Sequence, residues 1–108
     1  MTDDTADDAL DDTVDALVQE MSDLLDVGPV GLYEFRWDLN GLQPALTESK
    51  KLAVARRALD RMLTEPGTVL IWCRWPDTTL GPADRGDLGP DAFADIPPDG
   101  RYIALDRP

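Results

Sequence analysis

The stretch that decides the fold is residues 47–75, TESKKLAVARRALDRMLTEPGTVLIWCRW, because its hydrophobic period changes part-way along. The first part reads as a helix over 47–64. Thr47 is placed as its N-cap, and Glu48 puts a negative charge in the first turn. Leu52, Ala53, Ala55, Ala58, Leu59, Met62 and Leu63 supply helix propensity and an apolar side. Pro66-Gly67 closes the helix. Residues 68–75 then gather β-branched and aromatic side chains between Gly67 and Pro76, which is a strand pattern.

Toward the C-terminus, residues 76–100 are rich in Pro and Gly and read as a long irregular loop, with one short helical turn around 91–95. Gly100 leads into residues 101–106, a second strand expected to pair antiparallel with 68–75. Toward the N-terminus, residues 30–40 satisfy two patterns. Tyr33, Phe35, Trp37 and Leu39 alternate as in a strand, yet Val30, Tyr33 and Trp37 also have helical spacing. Pro44 makes residues 42–46 a poor return strand, so a short helix is the expectation. Before it, Leu10, Val14, Leu17, Val18, Met21, Leu24 and Leu25 form one apolar stripe on a helix over 10–26, stopped by Gly28 and Pro29. Residues 1–7 read as a solvated, disordered acidic tail, and 8–108 as a single domain.

The class is therefore α+β: three helices followed by a two-stranded antiparallel hairpin with a long loop. That order, with Gly100-Arg101-Tyr102 opening the last strand, resembles a winged-helix domain over about residues 10–106. The resemblance implies that 47–64 is the third helix, that 68–75 and 101–106 are the hairpin, and that 76–100 is the wing. Residues 41–46 are longer than a tight helix-turn-helix turn, and the wing is longer than an ordinary one. Residues 30–37, VGLYEFRW, also resemble small acidic proteins of GC-rich bacteria, and the composition is similar to that of toxin-immunity proteins.

Charge is the second feature. The net charge is −12, and residues 1–35 carry eleven carboxylates and no base. Such asymmetry governs solubility, steering and choice of partner. Asp11/Asp15 is one of several like-charge pairs at i,i+4 in this segment, each costing roughly 0.2–0.5 kcal/mol and offset in part near the helix N-terminus. There is no histidine, which removes the commonest general base and metal ligand. The one cysteine, Cys73, lacks a base to activate it and reads as a small buried hydrophobe. No catalytic residue, metal site or cofactor is expected. No membrane-length apolar run and no signal-like N-terminus occur, so a cytoplasmic address is expected.

Two surfaces are candidates for contact. The first is partner-binding: Asp11, Asp12, Asp15 and Asp23 on the polar face of the first helix, with Trp72, Arg74 and Trp75 at the end of the central strand. Its partner is expected to be a basic protein, such as a toxin or enzyme, and the competing interpretation of the acids is a solubilising face. Of the two tryptophans, one is expected in the core and the other as a contact anchor. The second is a basic stripe, Lys50, Arg57 and Arg61, within about 40° on the helix at 47–64. It occupies the place of a recognition helix, but the net charge opposes nucleic acid, and pairing with carboxylates is the simpler fate. The reading that follows is a non-enzymatic inhibitor of immunity or antitoxin type, with a winged-helix regulator or adaptor as the alternative.

Overall fold

The protein is described by a computed structural model over residues 2–76 and 78–108, with side chains from Leu10 onward. Its elements follow as α1 (Thr2–Leu25), β1 (Val30–Gly31), α2 (Tyr33–Leu42), α3 (Glu48–Leu63), β2 (Val69–Arg74), β3 (Thr78–Ala83), a 3-10 turn (Arg85–Asp87) and β4 (Arg101–Asp106). The cap of α3 is the expected one: the Lys50 backbone N–H donates to Thr47 Oγ1 at 3.2 Å. Gly67, at φ +84, turns the chain out of the helix toward β2, a conformation that side chains other than glycine rarely accept.

The fold is mixed α+β, with three helices and, among the described residues, a four-stranded antiparallel sheet of order β1-β4-β2-β3. β2 and β4 pair antiparallel as expected, from Val69 opposite Asp106 to Arg74 opposite Arg101. The two-stranded hairpin, however, is corrected by two additions. Val30 and Gly31 pair with Leu105 and Ala104, so the ambiguous segment holds a two-residue strand as well as helix α2. Within the supposedly irregular residues 76–100, Thr78–Ala83 pairs with β2 as an edge strand. The richness in Pro and Gly had argued for a loop there, but an edge strand needs ladder bonds on one side only and accommodates Pro82. The first helix starts at Thr2, through the segment expected to be a disordered tail.

Three helices cover one face of the sheet. Val14, Leu17, Met21 and Leu25 of α1 pack with Phe35 and Leu39 of α2 and with Val54, Ala55, Ala58, Leu59 and Met62 of α3. Leu70, Ile103 and Leu105 close this core from the sheet. Each large side chain buried there contributes roughly 1.5–3 kcal/mol. Ala53, placed on the apolar side from sequence, is exposed, while Val54 is fully buried. The other face of the sheet carries Ile71, Cys73 and Ala104, all buried. Tyr33 lies over this side, its ring 5.4 Å from that of Tyr102. Gly31 makes room for it, since a Cβ there would stand 2.3 Å from Tyr33 Cε1.

Candidate protein-binding site

The two charged surfaces anticipated from sequence meet each other. Arg57 pairs with Asp11 and Arg61 with Asp15, across the α1–α3 seam. Two of the three bases of the stripe and half of the acidic quartet are thus neutralised inside the molecule, by pairs that are half-exposed and worth about 0–1 kcal/mol each. Asp12 and Asp23 remain on the surface, with Gln19 Nε2 donating to Asp23 Oδ1 at 3.0 Å. Lys50 is exposed and has no ion pair among the described residues. Arg36 and Lys51 both engage Glu48, joining α2 to α3, and hydrogen bonding from Arg36 holds the Glu48 carboxyl below its usual range. With Arg85 on Asp60 and Arg107 on Asp26, six of the ten bases sit in ion pairs among the described residues.

The tryptophans divide. Trp72 is half-buried against the main core, with the Arg101 guanidinium 5.0 Å from its ring centroid. Arg74 is exposed. Trp75 is 53% exposed, on the Cys73 side of the sheet. It has a companion that sequence reasoning passed over. Trp37, 54% exposed, stands one turn along α2 from Tyr33. The Tyr33 ring lies edge-on to both, with centroids 4.8 Å from Trp37 and 6.3 Å from Trp75. Tyr33, Trp37, Trp75 and Tyr102 therefore form one aromatic cluster, with Tyr33 buried at its centre and the two tryptophans exposed. The i,i+4 spacing of Tyr33 and Trp37 was the available signal; the contribution of Trp75 and Tyr102 depends on sheet register.

Carboxylates flank this cluster. The Trp37 indole N–H donates to Asp95 Oδ1 at 3.0 Å. Asp95 belongs to a row, Asp87, Asp91, Asp95 and Asp99, that lines a cavity of about 520 Å³ between residues 87–99 and the β2–β4 pair. Trp72, Tyr102 and Ile103 also line it. The segment is held down by Phe93, buried 5.7 Å from the Phe35 ring centroid, and by Arg85 on Asp60 at 2.7 Å. The four-residue spacing of these acids was visible in the sequence, but the denser acids of the first helix drew the assignment there.

Titration behaviour gives no sign of a nucleophile. Burial raises the Cys73 thiol, against hydrogen bonds with Tyr102 and Thr79 that pull it down. Burial also pushes the Tyr102 hydroxyl up to about 12, with Cys73 and Tyr33 adding to the shift, and raises Tyr33, to which Glu34 contributes. These groups stay protonated and neutral near neutral pH. Among the described residues no three or more Cys, Asp or Glu side chains gather as a metal site, and no helix is long and apolar enough to cross a membrane. What the arrangement offers is recognition: exposed aromatic rings beside unneutralised carboxylates, on a folded support. No family model matches the chain, and no curated protein and no solved structure matches it.

Proposed function

We propose that this chain is a non-enzymatic protein-binding module, an acidic inhibitor of immunity or antitoxin type that neutralises a bacterial toxin in the cytoplasm by covering a basic site. One observation carries the reading. Trp37 and Trp75, each more than half exposed, bracket the buried Tyr33 ring, and the Trp37 indole reaches Asp95 of a carboxylate-lined cavity. Tryptophan rings held in the open dominate interface energetics, and flanking carboxylates select a basic partner and speed its approach. The contact surface is accordingly centred on Trp37, Trp75 and residues 87–99, with Asp12 and Asp23 as remote steering charges.

The test is capture from the native host on immobilised chain, wild type against a Trp37→Ala/Trp75→Ala variant. A basic protein retained by the wild type and lost by the variant, and inhibited by stoichiometric wild-type chain, is the expected result. Equal retention by both forms would sink this placement of the interface.

A winged-helix regulator or adaptor is the second reading. In its favour is the order of elements, with α3 leading into the β2–β4 pair and Lys50 and Arg56 exposed on α3. Against it stands the engagement of Arg57 and Arg61 with Asp11 and Asp15. DNA binding needs cations free to displace counterions. Salt-sensitive binding of duplex DNA, lost on joint neutralisation of Lys50, Arg57 and Arg61, is the result that favours this reading.

A further inference from the structure

The cavity beside the aromatic cluster has a chemistry of its own. Trp72, Tyr102 and Ile103 give it a largely apolar floor, Asp87, Asp91, Asp95 and Asp99 stand round it, and Arg101 is the base in its lining. None of these four carboxylates is in an ion pair among the described residues. Asp87, Asp95 and Asp99 accept hydrogen bonds from the Asp84 backbone N–H, the Trp37 indole and the Arg101 backbone N–H, all uncharged donors that leave the negative charge in place. The acids also do not converge, since no three of them form a group able to hold a metal. Inorganic cations are bound by oxygens drawn to within about 2.6 Å of a single point. Charge spread round an apolar floor, in about 520 Å³, instead matches a cation carried on an apolar stem. The protein's own Arg101 already lays its guanidinium over the Trp72 ring, so this lining seats one planar cation, and the four carboxylates around it still leave three negative charges in excess.

We infer that the cavity receives an arginine side chain projecting from a basic protein. This deepens the protein-binding reading and rests on it. The guanidinium is the favoured head group because it is weakly hydrated and stacks on aromatic faces, so it leaves water for such a site more readily than an ammonium does.

The experiment is an amide and indole NMR titration of the full chain with N-acetyl-arginine amide. Lysine and citrulline counterparts and magnesium chloride are run as separate arms. Saturable shifts at the Trp72 indole, Ala92 and Ala94, with a dissociation constant of about 1 mM, are expected. The citrulline probe, of the same shape without the charge, should bind roughly tenfold more weakly. An Asp91→Asn/Asp95→Asn/Asp99→Asn variant keeps the acceptor oxygens, and its native-like spectrum elsewhere checks its fold. It should lose most of the response. Shifts that do not saturate, that appear equally around Asp12 and Asp23, or that survive in this variant overturn the inference. So do magnesium shifts matching those of arginine, or tighter binding of the lysine probe. A Trp75→Ala chain that loses its captured partner yet still binds the probe keeps the two proposals apart. Failure of the probe alone leaves the aromatic interface standing.

Discussion

Asp38 is the residue whose surroundings suit it least. Its Oδ2 is buried without a hydrogen-bond partner among the described residues, and burial, with Glu20 nearby, raises its pKa. A raised carboxyl favours the protonated form of the folded state. That contribution is fully present below the unfolded value of about 3.9 and is lost as pH rises through the folded value. At pH 7 the charged side chain is therefore a burden, and Asp38→Asn should raise stability by roughly 0.5–1 kcal/mol, the cost discounted because the group is only part-buried. Urea melts at pH 7 and pH 4 check this: the gain should shrink at the lower pH, and a gain that is constant with pH would mean the charge is not its source. Gly31 sits at the opposite extreme, in a place that only glycine fits. Gly31→Ala drives a methyl group into the Tyr33 ring and should cost roughly 1–3 kcal/mol, while Gly28→Ala, with nothing within 4 Å of the new atom, should be close to neutral. Paired denaturation curves separate the two, and a matching loss at Gly28 would point to backbone conformation instead of the ring.

Among the elements, the α1–α3 seam shows what a sequence reveals and what it conceals. The helix at 47–64 was legible because its signals are local: a Thr47 cap, a repeating apolar period and a Pro66-Gly67 stop. The β2–β4 pair followed from composition and from the proximity that a third helix and a loop impose. Residues 33–42 came out helical once Pro44 had weakened the strand alternative. β1 was invisible, since two residues carry no period, and β3 was concealed by the Pro and Gly content of residues 76–100, where Pro82 is acceptable only at an edge position that the assembled sheet defines. The same limit applies to charge. Asp11, Asp15, Arg57 and Arg61 were each identified, but their partnership depends on the rotational phase of two helices about their axes, which is a tertiary fact. A double-mutant cycle on Asp11→Asn and Arg57→Gln should give a coupling of about 0.2–1 kcal/mol that fades in high salt. A coupling insensitive to salt would indicate packing by the arginine stem instead.

At the scale of the whole molecule, internal pairing redistributes the charge. Bases are consumed at helix seams, while residues 84–99 hold five aspartates and one base, Arg85, which is itself committed to Asp60. The outward field on this side is therefore acidic, although the sequence is most acidic at its start. Neutralising Asp91, Asp95 and Asp99 together should slow association with a basic partner about tenfold at low salt. The effect should be much smaller where screening shortens the field to about 8 Å. Neutralising Asp12 and Asp23 should matter less, and stopped-flow rates over a salt series decide between them. Equal effects would return the steering role to the first helix. Phe93 gives this arrangement a further property. With its ring seated against Phe35, a Pro- and Gly-rich segment is folded down before any partner arrives. Its conformational entropy is thus surrendered during folding and not at the encounter. Such a surface binds as a rigid template does, and a protease specific for aspartyl bonds should leave residues 91–95 uncut until Phe93→Ala releases them.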